Sequence, residues 1–236
     1  MSVERSVLKT ENLVLGYFGK ALTKPFTISL KENSWYGIIG SNGTGKSTFI
    51  KTILGGLKPV SGRLEIRKDI LDKHNSGISY IPQERDVNLN DLTSGYSLIM
   101  SSYRAEKYGL PCLNKKIISK VSELLEIVGA DDYVRQPYCS LSGGQKKRIF
   151  LAQALINDPK LLLLDEPLAD LDPVAKQSFI KALQSIHSIR KMSLLMISHD
   201  MHEIAENLDE FIHFKDGMVH LCEDLPCIKE SAYVGI

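Results

Sequence analysis

The sequence predicts an α/β fold with a parallel-sheet core, an antiparallel β portion at the start and a helical insert in the middle. Three observations predict it. Short β-branched and aromatic runs separated by Gly or Pro fill the first third. The apolar run Leu161 to Leu164 is of the kind buried on both faces of a parallel sheet. Between them, from about Asp86 to Asp158, the apolar period becomes that of a helix.

In chain order, strands are expected at Val7 to Leu15, Phe26 to Leu30 and Trp35 to Ile39. A helix from Gly45 to about Leu54 should stop at Gly55-Gly56, and Arg63 to Ile66 and Ile78 to Ile81 read as short strands. Ile117, Ile118, Val121, Leu124, Leu125 and Val128 form one stripe of a helix over Lys115 to Val128, with Gly129 as its stop. The next helix runs from Ser142 to Asn157, ended by Asp158-Pro159, because proline disfavours helix in the residue before it. Strands at Leu161 to Leu164 and Ser193 to Ile197 alternate with helices at Pro173 to Ser188 and His199 to Leu208. Asp216-Gly217 between Phe211–Phe214 and Met218–Leu221 is a strong hairpin signal. The expected organisation is a single domain, residues 1–236, with a core of 1–85 and 159–236 and a helical subdomain of 86–158.

The totals restrict the function classes. A chain of 236 residues, 43% apolar and 24% charged, can bury a substantial core. Its net charge of +1 provides no broad field to gather nucleic acid or anionic lipid, so no nucleic-acid partner is expected. No stretch approaches the ~18–20 apolar residues of a spanning helix, and Met1 to Asn12 lacks the apolar run of a signal peptide. The four scattered cysteines, Cys112, Cys139, Cys222 and Cys227, fit no zinc pairing and are expected as reduced structural thiols. A cytoplasmic protein is the expectation.

Gly40-Ser41-Asn42-Gly43-Thr44-Gly45-Lys46-Ser47 completes the pattern G-x-x-x-x-G-K-[ST] between an apolar strand and a helix. Small residues let the backbone curl so that its N–H groups converge on phosphate oxygens, and the helix adds its positive end. Lys46 is placed to reach the β- and γ-phosphates of ATP, and the Ser47 hydroxyl to hold Mg²⁺. The same chemistry needs a carboxylate on a neighbouring strand. Asp165 and Glu166 follow Leu161 to Leu164 at the C-terminal end of a buried strand, the edge at which α/β sheets bind ligands. Asp165 is assigned to the metal and Glu166 to the attacking water as general base.

Leu141-Ser142-Gly143-Gly144-Gln145 is a second small-residue cradle at a helix start, twenty residues before Asp165. These residues match the signature of ATP-binding cassette (ABC) ATPases, which the sequence resembles from about Leu8 to Leu221. The resemblance implies a P-loop nucleoside-triphosphatase fold and a head-to-tail, ATP-dependent dimer in which each signature closes over the other chain's ATP. It places Ser142, Gly143, Gly144, Gln145 and Thr48 among the nucleotide-binding residues. Tyr17 resembles the aromatic that stacks on adenine, with Phe18 as its rival. Gln83 resembles the glutamine at Mg²⁺ or the water, Asp172 an aspartate that communicates across the dimer, and His199 the histidine at the γ-phosphate. His199 with His202 also has the spacing of metal ligands, but no third ligand of the right kind follows. His74, His187, His213 and His220 are expected at the surface or satisfied in the core.

The resemblance further implies a separate integral membrane permease, a solute-binding protein on the far side, and a place on the inner face of the cell membrane. Length, the Ile-Pro-Gln region and the tail around Val219 to Cys222 are similar to zinc- and manganese-type importers, whereas Glu84 to Thr93 departs from them. Two other readings stand beside transport. One is a soluble ABC ATPase in iron–sulfur assembly or on nucleic acid; the other is a P-loop kinase, which leaves Leu141 to Gln145 unexplained.

Overall fold

Two sheets organise the chain in the computed structural model, which describes residues 5–72, 75–83, 93–103, 115–199 and 201–223. The N-terminal portion holds β1 (Ser6–Val14), a hairpin of β2 (Gly16–Tyr17) and β3 (Lys20–Ala21), and β4 (Ser29–Lys31). It continues with β5 (Trp35–Gly40), α1 (Lys46–Ile53), β6 (Ser61–Ile66), a small hairpin of β7 (Leu71–Asp72) and β8 (Asn75–Ser76), and β9 (Ile78–Ile81). Three helices follow, α2 (Gly95–Ser102), α3 (Lys115–Val128) and α4 (Gly143–Leu155). The last third alternates β10 (Leu161–Asp165), α5 (Pro173–Arg190), β11 (Ser193–Ile197), β12 (Glu210–Lys215) and β13 (Met218–Cys222).

An antiparallel sheet has the order β4-β1-β6, and a larger sheet the order β13-β12-β5-β11-β10-β9. All neighbours in the larger sheet are parallel except the edge pair β12–β13. Side chains alternate across strands, so successive residues serve opposite faces. Leu161, Leu163, Leu195, Ile197, Ile212 and Phe214 pack on the side of β1, β4 and α1. Leu162, Leu164, Leu194, Met196 and Phe211 pack with residues of α2, α3, α4 and α5. A strand buried on both faces has no polar positions, which is why Leu161 to Leu164 is apolar throughout.

Local chemistry sets the boundaries. Gly129 turns left-handed at φ 64° and α3 ends there, while Ala130 donates its N–H back to the Leu125 carbonyl at 2.9 Å. Asp216 and Gly217 take φ values of 51° and 74°, as a tight hairpin between right-twisted strands requires.

The structure departs from the sequence reading at several places. Ile118, expected on the apolar stripe of α3, is exposed, while Ile117, Val121, Leu124, Leu125 and Val128 are buried. Instead of a helix over His199 to Leu208, the described residues form two 3₁₀ turns, Met201–Glu203 and Ala205–Asn207. Their i→i+3 spacing buries Met201, Ile204 and Ala205 as a helix would, so the apolar pattern does not separate the two forms. The expected Phe26 to Leu30 strand is a bridge at Phe26 followed by β4. The helix α2 went unread, because eight residues are too few for a period; its start at Ser94, whose Oγ accepts the Ser97 N–H at 3.2 Å, is visible afterwards. The two short hairpins β2–β3 and β7–β8 also went unread.

Candidate nucleotide site

The Gly40-to-Ser47 loop leaves the end of β5 and returns at α1. Gly40 has φ 145°, and a Cβ there would stand 2.4 Å from the Phe214 carbonyl oxygen of the adjacent β12. Only glycine fits. Gly43 (φ 79°) and Gly45 (φ 111°) supply two left-handed steps, and the Thr44 hydroxyl donates to the Ser41 carbonyl at 2.8 Å. Lys46 opens α1, and its Nζ donates to the carbonyls of Gly40 (2.6 Å) and Ser41 (2.8 Å), which holds the ammonium over the loop. Burial pushes the Lys46 ammonium below its ordinary value, while Glu166 and Asp165 oppose that shift.

The carboxylates arrive from β10. Burial raises the Asp165 carboxyl, against the hydrogen bond that the Tyr80 hydroxyl donates to Oδ2 at 3.2 Å. The Tyr80 hydroxyl is itself pushed up to about 12 by burial and by Asp165. Glu166 is buried and left-handed at φ 49°, a conformation that costs a non-glycine residue ~1–3 kcal/mol and concentrates at functional sites. Its N–H donates to the Ile197 carbonyl at 2.9 Å, which ties it to β11. Its Oε2 accepts the His199 N–H at 3.1 Å, and Oε1 lies 3.4 Å from His199 Nε2.

One cleft of about 360 Å³ joins these parts. Tyr17, Asn42, Gly43, Gly45, Lys46, Ser47, Thr48, Gln83, Asp165, Glu166 and His199 all line it. Gly40, Ser41 and Thr44 complete the loop without lining the cleft. The Tyr17 hydroxyl accepts from the Thr48 hydroxyl at 3.0 Å and so stands over the mouth of α1. Phe18 projects fully into solvent from the turn of the β2–β3 hairpin. Leu22 and Ile197 form an apolar wall that the sequence reading missed. Tyr80 was missed as well: its contact depends on β9 pairing with β10, which no local pattern reveals.

Ser142, Gly143, Gly144, Gln145 and Asp172 stand elsewhere; none of them lines this cleft. Ser142 and Gln145 form a reciprocal cap on α4, with Gln145 N–H to Ser142 Oγ at 3.3 Å and Ser142 N–H to Gln145 Oε1 at 2.9 Å. A Cβ at Gly144 would meet the Ala175 methyl at 3.1 Å, so this glycine lets α4 approach α5. Gly143 also lines a smaller apolar cleft of about 190 Å³, shared with Ile81, Gln83, Tyr138 and Phe150.

Asp172 caps α5 by accepting the N–H groups of Val174 and Ala175, each at 2.9 Å. Asp172→Ala should therefore cost ~0.5–2 kcal/mol of stability, read as a lowered thermal midpoint. Asp172→Asn, which keeps an acceptor, should cost clearly less.

His199 and His202 do not combine with other residues into a metal cluster among the described residues. Cys139 and Cys222 are reduced, whereas Cys112, Cys227 and His74 lie outside the described residues. His187 Nε2 reaches the Asn33 carbonyl at 3.1 Å, as expected of a satisfied histidine. His213 corrects the expectation: it is buried, and its Nδ1 has no hydrogen-bond partner among the described residues. A strand pattern with polar His213 between apolar neighbours reads as an ordinary buried residue; the missing partner shows only in three dimensions.

The family model described as "ABC transporter" matches residues 23–169, which span the phosphate loop, the signature and both carboxylates. The chain belongs to the ABC transporter family. Like the ATP-binding subunits of that family, it is an ATPase with a P-loop NTPase fold. It is 33% identical over 226 residues to the energy-coupling factor transporter ATP-binding protein EcfA2 of Caldanaerobacter subterraneus, covering 91% of this chain and 78% of that one. It is 32% identical over 212 residues to the zinc import ATP-binding protein of Wolbachia pipientis, covering 89% and 80%. It is also 32% identical over 204 residues to the manganese transport system ATP-binding protein of Bacillus subtilis, covering 86% and 80%. Among solved ABC structures, CbiO1 of Clostridium perfringens, part of the complex CbiONQ, superposes with a TM-score of 0.81 at 29% identity, covering 96% and 92%. No helix among the described residues is long and apolar enough to cross a membrane.

Proposed function

We propose that the chain is the ATP-hydrolysing engine of an importer and works as a head-to-tail dimer on a separate membrane permease. One observation carries the dimer: the phosphate loop, both carboxylates and His199 share one cleft, while the signature cradle of the same chain lies outside it. A second helix N-terminus with two glycines, outside the cleft of its own chain, is explained if it closes on another chain's nucleotide.

The residues fit magnesium, because the Ser47 hydroxyl, the Asp165 carboxylate and the Gln83 amide supply hard oxygen donors to one cleft. When bound, Mg²⁺ neutralises charge on the β- and γ-phosphate oxygens. The other steps belong to the chain. Tyr17 stacks the base, the loop N–H groups and Lys46 hold the phosphates, and Glu166 accepts a proton from the attacking water. The oxygen of that water bonds to the γ-phosphorus as the β–γ bridging bond breaks and ADP leaves with the electron pair. His199, whose N–H donates to Glu166 Oε2 and whose Nε2 lies 3.4 Å from Oε1, orients the base and reaches the γ-phosphate. Gln83, which lines both clefts, links the site to the helical subdomain of residues 86–158, and Asp172 carries the signal across the dimer.

Transport is the reading that the relatives support, and the zinc import and manganese transport proteins among them favour a metal ion as cargo. The chain then lies on the inner face of the membrane, with a solute-binding protein opposite. Identifying the membrane protein that co-purifies with the chain tests this; recovery with a soluble iron–sulfur assembly partner or nucleic acid would overturn it. The dimer has its own test. Ser142→Arg should leave ATP binding to the monomer intact and abolish the ATP-driven shift to a dimer in size-exclusion chromatography. Lost monomer binding would show that the signature acts within one chain.

A further inference from the structure

The hairpin β12–β13 forms the edge of the large sheet; β12 lies beside β5, which leads into the phosphate loop, but His213, His220 and Cys222 do not line the nucleotide cleft. His213 and His220 are directly paired across it, and Phe211 pairs with Cys222. Residues two apart share a face of a strand, so His213, His220 and Cys222 project to the same side. The two imidazoles meet edge to face, with centroids 5.2 Å apart. One ligand atom from each of the three residues lies within 4.8 Å of the others. Burying a polar nitrogen without a partner is unfavourable, and His213 Nδ1 is such a nitrogen among the described residues.

We propose that His213, His220 and Cys222 bind a zinc-class transition-metal ion on this hairpin, separate from the nucleotide's magnesium. Two imidazoles and a thiolate are the donors that a borderline-soft ion selects over magnesium or calcium. Tetrahedral zinc with bonds of ~2.0–2.3 Å brings its ligand atoms to about 3.4–3.7 Å, so rotamer adjustment of about 1 Å closes the site. Exposed His220 opens it to solvent, while His213 and Cys222 anchor it from within. Binding forms two metal–nitrogen bonds and one metal–sulfur bond, releases the Cys222 thiol proton to solvent, and leaves a fourth position for water. The proposal stands whatever the permease carries, since cargo does not pass through the ATPase.

The test uses the full chain, stripped with chelator and titrated with Zn²⁺ against a chromophoric competitor, and with Co²⁺ as an optical probe. The expected result is one equivalent bound per chain, with a thiolate-to-cobalt charge-transfer band. His220→Ala, on an exposed side chain, should weaken Zn²⁺ binding at least tenfold without loss of fold. Cys222→Ser should abolish the band, while Cys139→Ser leaves it intact. Absence of stoichiometric binding by the folded chain would overturn the proposal, as would binding unchanged in both His220→Ala and Cys222→Ser. ATP binding by each variant is read in parallel, so failure here is distinguished from failure of the nucleotide site.

Discussion

Glu166→Gln should lower ATP turnover by ~10²–10⁴, about 3–5 kcal/mol of barrier, and should do so without lowering ATP affinity. The geometry allows a clean substitution. Oε2 accepts the His199 N–H and Oε1 faces His199 Nε2, so a glutamine can keep its carbonyl on the first and turn its NH₂ to the second. Shape, burial and the left-handed backbone at φ 49° persist, because an amide has nearly the volume of a carboxylate. What is lost is the ability to take a proton from water. Bound ATP then stays intact, and the variant should accumulate as an ATP-loaded dimer in size-exclusion chromatography with Mg-ATP. Asp165→Asn should behave differently. Its carboxylate receives the Tyr80 hydroxyl and is assigned to magnesium, so nucleotide occupancy itself should fall and no stable dimer should form. Turnover by Glu166→Gln near the parent rate would remove Glu166 from the role of base and move attention to His199 or to the substrate phosphate.

The legible parts of the molecule were those whose physics is local. A phosphate loop is written in consecutive residues, because three left-handed or crowded glycines and a lysine must follow one another. Gly40, Gly43, Gly45 and Lys46 are found where the pattern placed them. Leu161 to Leu164 announced a strand buried on both faces, and the two cores on either side of it are the reason. The parts that were missed depend on pairing. Tyr80 reaches Asp165 only because β9 lies beside β10, with Tyr80 opposite Leu163. His213, His220 and Cys222 converge only once the hairpin register is set, and in sequence they resemble scattered residues of two ordinary strands. The stretch after His199 shows a third limit. Apolar residues three apart suit a helix and successive 3₁₀ turns alike, so pattern alone does not choose between them.

Lys46→Ala should abolish tight Mg-ATP binding while leaving the fold in place. Lys46 Nζ spans the carbonyls of Gly40 and Ser41 at 2.6 and 2.8 Å, so the ammonium already sits at the rim of the cradle with its third proton to spare. Burial makes the charged form costly, and Glu166 and Asp165 offset part of that cost. An arriving phosphate supplies the missing counter-charge in a site shielded from water. The charge-assisted hydrogen bond from that third proton is worth ~1.5–3 kcal/mol, about one to two decades in Kd before the loss of the charge itself is counted. Stability should change far less. Lys46 occupies the first turn of α1, where alanine is the best helix former, and the helix is anchored in the core by Phe49, Ile50 and Ile53. The neighbouring carboxylates lose a cation, which partly offsets the gain in helix propensity. The measurements are equilibrium binding of Mg-ATP and the thermal midpoint of the nucleotide-free chain, taken on the same preparation. Parent-like affinity at an unchanged midpoint would show that the phosphates bind somewhere other than the Gly40-to-Ser47 loop.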